Sequence, residues 1–378
     1  MIFEITYENI QKPLAIIRSL ITDKDYKSEV KQITIESKNE EVKLFFKDER
    51  INTEMIFTLE DATVLLDGVI TCSFASFFEI TKVFKQSKEP LIIEQDQRIL
   101  LVGDGQYPEE ILTLTKDVEP HAPNAGELWV SATASDLKGG LEIASSLLKK
   151  TSIPEEELNT QGIYMVTSGE ESSLSAFSVY GFHRSTFNSV NHMDKTVCFP
   201  KNIASTLLKI VKSMKKDSEL VFSLVKAEVI EGEEEDEEIR PGGILVQTTD
   251  GHSDMFFVLD VENPNTQHAG VFQEITESIK NEVNKETTLK LKVDGLKSIS
   301  KVKAEDNISF VDGKVQLSQE GFQATMVKKL VDKGAVDDEG TLYLLNGNSQ
   351  DDAILLMMVN DNGQDKITTI SYRLPPTA

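Results

Sequence analysis

Hydrophobic and polar positions alternate in short runs along most of this chain, and three- and four-residue spacings interrupt them at recurring places. Strict alternation marks a half-buried strand, and the longer spacing marks one face of a helix. Residues 2–7 (IFEITY) alternate, and QKPLAIIRSLI (11–21) then predicts a short helix with Pro13 in its first turn. KQITIES, EVKLFFKD and NTEMIFTL predict a strand meander, GVITCSF (68–74) leads into a helix over 76–88, and PLIIEQD and RILLVGDG close the set as a hairpin. After HAPNAGE (121–127), whose Pro, Gly and small residues suit a linker, the order begins again. ELWVSAT (127–133) predicts a strand and DLKGGLEIASSLLKK (136–150) a helix. TQGIYMVTS and SLSAFSVYGF predict strands, TVCFP leads into a helix over 200–216, and ELVFSLVKAEVI, GGILVQTT and DMFFVLDVE predict the closing strands.

The repeat has a period near 125 residues, the separation of Phe74 and Phe199 ahead of the second helix of each set. Periods of that length belong to repeated domains, since solenoid repeats are much shorter. The fold class expected is α+β, with domains at 1–122, 127–264 and 270–378. The third is compressed or rearranged. In it TTLKLKV (287–293) predicts a strand, GLKSISKVK (295–303) a helix, and Val311-Asp312-Gly313-Lys314 a hairpin turn. Residues 322–333 fit a helix by Phe322, Met326 and Leu330, and equally a strand by Phe322, Ala324 and Met326. Residues 271–283 (VFQEITESIKNEV) predict an additional helix.

The helix over 200–216 brings charge into the picture. Ile203, Leu207, Ile210, Val211 and Met214 share one arc, and Lys201, Lys209, Lys212, Lys215 and Lys216 the opposite one, with Leu208 alone out of place. Yet the 378-residue chain has a net charge of −24. Segments 11–21, 76–88, 136–150, 200–216, 295–303 and 322–333 carry +2, +2, +1, +5, +3 and +2, together +15, so the remaining residues hold −39. The additional helix does not follow this sorting. Repeated domains that gather such helices on one inner surface, sheets outside, would line it with cations. Lys12, Arg18, Lys82, Lys85, Lys138, Lys149, Lys150, Lys201, Lys209, Lys212, Lys215, Lys216, Lys297, Lys301 and Lys303 are the candidates. Such a lining suits a polyanion held through its phosphates without base reading, and the acidic remainder argues against a chain that coats nucleic acid or anionic lipid with its whole surface.

Nothing in the chain spells an enzyme. There is no P-loop, GxGxxG, GxSxG or HExxH string, and neither Cys72 nor Cys198 has a histidine near it in sequence. His252 beside Asp250 and Asp254 is the nearest approach to a metal cluster, so no metal or cofactor is expected. Two scattered cysteines suggest a reducing compartment. MIFEITYENI has no leader pattern, and no 18-residue apolar run occurs, so a cytoplasmic location without membrane attachment is expected. EGEEEDEE (231–238) reads as a solvated hairpin tip.

Three local strings add to the layout. The chain ends TISYRLPPTA, Tyr180-Gly181-Phe182-His183-Arg184 lies in the second domain, and Pro264 lies at its exit. With two helices per unit and three units, they resemble the bacterial DNA sliding clamp, the beta subunit of the replicative polymerase. The His-Arg pair is in register with the family's Thr-Asp-Gly-His-Arg turn, although Thr249-Asp250-Gly251-His252 spells that turn more closely at a place where the family lacks it. The family's proline before Arg-Leu is missing ahead of Arg373-Leu374. The resemblance implies a homodimeric ring around double-stranded DNA that binds polymerase and clamp loader through short hydrophobic peptides. It also implies a peptide pocket drawn from Tyr180, Phe182, His183, Arg184, Pro264, Ile370, Tyr372, Arg373 and Leu374. The alternative is a β-rich protein-interaction scaffold related in fold to clamps that does not encircle DNA.

Overall fold

The structure, a computed structural model, describes residues 1–27, 31–48, 53–105, 108–112, 126–148, 162–178, 181–230, 238–240, 242–248, 253–259, 272, 274–279, 281, 289–291, 303, 306–311, 314–318, 322–324, 327, 341–345, 354–361 and 364–371. The first set of elements is β1 (Ile2–Ile5), α1 (Tyr7–Leu20), a short α2 (Asp23–Lys27), β2 (Gln32–Lys38), β3 (Glu41–Asp48), β4 (Thr53–Thr58), β5 (Thr63–Leu66), β6 (Gly68–Ser73), α3 (Phe74–Val83), β7 (Leu91–Asp96), β8 (Ile99–Gly103) and β9 (Glu109–Leu112). The second is β10 (Glu127–Thr133), α4 (Ala134–Leu148), β11 (Gly162–Ser168), β12 (Glu171–Ser178), β13 (Gly181–Phe187), β14 (Val190–Asn191), β15 (Lys195–Pro200), α5 (Lys201–Ser213), β16 (Glu219–Val225), a hairpin β17 (Glu228–Ile230) with β18 (Glu238–Arg240), β19 (Gly243–Thr248) and β20 (Ser253–Val258). Apart from α2 and that hairpin, the two orders are the same.

The third set is β21 (Leu289–Leu291), β22 (Asn307–Val311), β23 (Lys314–Ser318), β24 (Phe322–Gln323), β25 (Thr341–Leu345), β26 (Ile354–Asp361) and β27 (Gln364–Ser371). The helix-or-strand ambiguity resolves into both, since β24 is followed by helical positions at 324 and 327. Residues 272, 274–279 and 281 are helical, as their spacing predicts. The predicted helix at 295–303 lies outside the described residues except Lys303, which is not helical. Only three residues separate β23 from β24, too few for the two strands that stand between β3 and β6 and between β12 and β15.

The chain folds into two compact units, Met1–Leu128 with Lys212–Glu262 and Trp129–Val211 with Asn263–Ala378. In the first, one sheet runs β5-β1-β7-β8-β9 and another carries β16-β19-β20-β4-β3-β2-β6. In the second, one sheet runs β15-β11-β12-β13-β27-β26-β25-β21 and a small one β23-β22-β24. The order β6-β2-β3-β4 thus recurs as β15-β11-β12-β13. The units cut across the sequence repeat because sheets continue from one set into another, β20 pairing with β4 from Ser253↔Phe57 and β13 with β27 from Gly181↔Ile370.

Polar caps set where the helices begin. Thr6 accepts from the Asn9 N–H, Ser73 from the Ser76 N–H and Thr133 from the Asp136 N–H, each satisfying a backbone donor that helix geometry leaves over. The first three long helices therefore start two to four residues earlier than apolar spacing suggests. Pro13 consequently falls inside α1 instead of its first turn, and it is buried there. Pro200 ends β15 ahead of α5, and α5 stops at Ser213, so Lys215 and Lys216 lie beyond it. Leu208, out of place on the expected polar arc, is buried with Thr206.

Each unit has its own core. In the first, Phe74 stacks on Phe78 at 5.6 Å between ring centroids, with Phe46 and Tyr26 around Phe74. In the second, the buried Trp129 donates its indole N–H to Thr167 Oγ1 at 2.8 Å. There α4 lies close on β12 and β13. A Cβ on Gly140 would meet Ser185 Oγ at 2.3 Å and Leu174 Cδ1 at 3.1 Å, whereas one on Gly139 would meet nothing within 4 Å.

Candidate functional site

Side chains alternate across a sheet, and the parity of β11, β12 and β13 divides the expected pocket residues. Tyr164 pairs with Ser175, Ser175 with Arg184, and Phe177 with Phe182, so these side chains share one face. His183 and Ser185 point to the other, the face of Leu174 that meets α4. His183 is fully buried there, with Nε2 3.2 Å from Ser185 Oγ. Of the His-Arg pair, only the arginine therefore reaches the face of Phe182.

On that face a cluster forms from Tyr164, Phe182 and Phe272, with Val166, Cys198, Ile275 and Ile279 packed against it. The Phe272 ring lies 4.9 Å from that of Tyr164 and 5.9 Å from that of Phe182. Burial pushes the Tyr164 hydroxyl above its ordinary range, Cys198 adding to the shift. Burial also pushes the Cys198 thiol up to about 11, against a lowering hydrogen bond from Tyr164. Beside the cluster opens a cleft of about 150 Å³, lined by Val166, Ser168, Glu171, Ser173, Ser175, Arg184 and Phe272. Arg184 is ion-paired with Glu171. Ser175 Oγ is buried and has no hydrogen-bond partner among the described residues. Val166 and Phe272 make one side of this wall apolar and aromatic, and the other residues offer hydroxyls, a carboxylate and a guanidinium. Clefts of that kind orient a ligand by a few polar contacts while burying an apolar anchor.

Sequence reasoning reached Phe182 and Arg184 and missed Tyr164, Val166, Ser173, Ser175 and Phe272. The phase of alternation in TQGIYMVTS carries the signal for Tyr164 and Val166, but only pairing shows which strands share a face. Tyr180, Pro264, Tyr372, Arg373 and Leu374 lie outside the described residues, and Ile370 stands in β27 opposite Gly181.

The expected cationic residues divide similarly. Lys149, Lys150, Lys297 and Lys301 lie outside the described residues. Lys12, Lys82, Lys85, Lys138, Lys209, Lys212, Lys215, Lys216 and Lys303 are exposed, and Arg18 and Lys201 half-buried. Several serve contacts within the chain. Arg18 bonds Asp23 at 2.8 Å and lies over the Tyr26 ring, holding the Asp23 carboxyl below its usual range. Lys82 bonds Glu79 at 3.1 Å and lies over Phe78, and Glu79 accepts from Tyr26. By the observed bounds, α3 is neutral and α4 has two acids to one lysine, while α5 keeps three lysines and no acid. Lys85, Lys215 and Lys216 follow the ends of α3 and α5, where the negative pole of the helix dipole favours cations.

No group of three or more metal-ligating side chains occurs among the described residues. Asp254 accepts instead from Gln247 Nε2 at 3.1 Å, and Asp250 and His252 lie outside the described residues. Among the described residues no helix is long and apolar enough to cross a membrane.

Neither a protein-family model nor a curated protein sequence matches the chain. Solved structures do. A putative DNA polymerase III beta subunit from Eubacterium rectale superposes with a TM-score of 0.71 at 13% identity, over 99% of each chain. The beta subunit from Pseudomonas aeruginosa gives 0.69 at 15% over 99% of this chain and 100% of its own, and that from Thermotoga maritima 0.68 at 13% over the same shares. A further Pseudomonas aeruginosa sliding clamp was solved bound to griselimycin. The chain has the mixed helix-and-sheet fold of the sliding clamps, and it has it over its full length.

Proposed function

We propose that the chain is a divergent DNA polymerase III beta subunit: a sliding clamp of three repeated domains that encircles duplex DNA without sequence preference and tethers a polymerase. The agreement in fold over 99% of the chain carries the reading. In it the chain is a binding protein of the cytoplasm, not a catalyst. Its cofactor-free contacts to DNA are phosphate contacts made by lysines of α5 and its C-terminal flank. Short peptides of the polymerase and clamp loader dock on the Phe182–Arg184 face. The ring is a homodimer closed by strand edges.

The test is topological. Protein assembled on a nicked circle should stay bound until the circle is cut, and then slide off the free ends. Changing Lys209, Lys212 and Lys216 to Glu should abolish retention and processive synthesis. It should also flatten the salt dependence, since each phosphate contact contributes a slope of about 0.9 in log K against log salt. Retention that ignores cutting would refute the clamp.

One observation favours the scaffold reading. Among the described residues the third set lacks the counterparts of β4 and β5, so the edge offered for closure is β23. A scaffold would bind polymerase peptides with no dependence on DNA topology, and the same experiment separates the two.

A further inference from the structure

The aromatic cluster of the second unit is closed by a segment outside the repeat. The interval between β20 and β21 runs to 30 residues, against 14 between β9 and β10, so it holds added chain. Its helical residues turn Phe272, Ile275, Thr276 and Ile279 inward, while Glu274, Glu277 and Ser278 are exposed. Phe272 is 4% exposed although it comes from this added segment. A helix this short is marginal by itself in water, so docking of Phe272, Ile275 and Ile279 keeps it in place. What it covers is Tyr164 and Phe182, and Phe272 itself forms, with Val166, the apolar side of the cleft that opens beside them. The polar side, with Ser173, Ser175, whose hydroxyl has no hydrogen-bond partner among the described residues, and Arg184, continues beside it. Phe177, paired across the strands with Phe182 on the same face, is 55% exposed. The apolar surface thus runs past the edge of its own cover.

We propose that the helical segment carrying Phe272, Ile275 and Ile279 is a resident occupant of the docking pocket, and that a partner docks by displacing it with an aromatic anchor on an amphipathic segment. The inference rests on the reading above that this face takes partner peptides. The chemistry follows from the hole that Phe272 fills: two aromatic rings, Val166 and Cys198 form its walls, which favour a planar apolar side chain over a charged one. The resident segment is then a template for the partner, and access to the pocket depends on the fraction of molecules in which the helix is lifted.

Cys198 reports that lifting, because it packs against the cluster while Cys72 is buried elsewhere and serves as the silent control. The full chain is treated with iodoacetamide and the modified peptides are quantified by mass spectrometry. Phe272→Ala should raise the rate at Cys198 at least tenfold with Cys72 unchanged, and Ile279→Ala should raise it less. Equal rates in both variants and wild type would overturn the proposal. If Phe272→Ala exposes both thiols by unfolding, Ile279→Ala decides. A fluorescein-labelled peptide of residues 270–281 should bind Phe272→Ala at least tenfold tighter than wild type, and its Phe-to-Ala version should bind neither. A peptide bound equally by both proteins would also overturn it. Lifting without any capture of polymerase on nicked circles would strike the docking reading and leave the resident helix standing.

Discussion

Cys72 sits in β6 opposite Ile33 with no exposed surface, and burial pushes its thiol up to about 12. In the unfolded chain the same thiol ionises near 9, the value from which the shift is measured. The native state therefore binds its proton more tightly, so its contribution to stability is complete below pH 9 and is lost between pH 9 and 12. The loss per thiol is about 1.4 kcal/mol per pH unit. Urea unfolding followed by the fluorescence of Trp129, the chain's single tryptophan, should show stability falling from pH 9 to 11. Cys72→Val, close to the thiol in size, should remove part of that slope and change little at pH 7. A slope identical to wild type would mean that the thiol is not confined as drawn. At this scale the candidate site was half legible. The resemblance carried Phe182, His183 and Arg184 together, but neighbours in a strand face opposite ways, and no string of letters states which face is the working one. Phe272 was invisible as a site residue because its partners lie about a hundred positions away in sequence.

Among the elements, α4 holds the most direct test of packing. Gly139 and Gly140 weaken a helix alike in propensity, yet only Gly140 faces the sheet closely enough for a Cβ to collide. Gly139→Ala should leave stability unchanged or raise it by up to ~1 kcal/mol. Gly140→Ala should lower it by about 1–3 kcal/mol, because Ser185 Oγ must move and loosen its contact with the buried His183. Urea midpoints measure both, and equal midpoints would contradict the close approach of α4 to β13. The elements themselves were the most legible part of the chain, since alternation and helical spacing are local. Their ends were not. Apolar spacing locates the buried stripe, whereas the start of a helix is fixed by a hydroxyl at Thr6, Ser73 or Thr133, ahead of the first periodic residue. That shift matters for charge, because several lysines counted with the helices belong to the turns after them. The basic character persists in α5 and its flank, and that is where reversal of charge should act.

For the whole molecule, the strand order supplies a rule. The last strand of the second set, β20, pairs with β4 of the first, and the last strand of the third, β27, pairs with β13 of the second. By the same rule β9, the last strand of the first set, should pair with a strand of that kind in the third set of another copy. Among the described residues the third set has none, and the edge it presents there is β23, with Leu317 68% exposed. An exposed edge with an apolar residue invites pairing with another chain. The two edges are also matched in charge, Glu109 and Glu110 on β9 against Lys314 on β23. If they close a homodimer, Leu317→Lys should shift sedimentation from dimer to monomer. Glu110→Lys and Lys314→Glu should each weaken the dimer severalfold, and the two combined should recover much of the loss, as coupled residues do. Losses that simply add would place the dimer contact elsewhere. That the third set is compressed or rearranged was legible in residues 322–333, which alternate like a strand where a second helix is due. What the compression removed became visible only when pairing showed that its missing member is the one the other sets use to join.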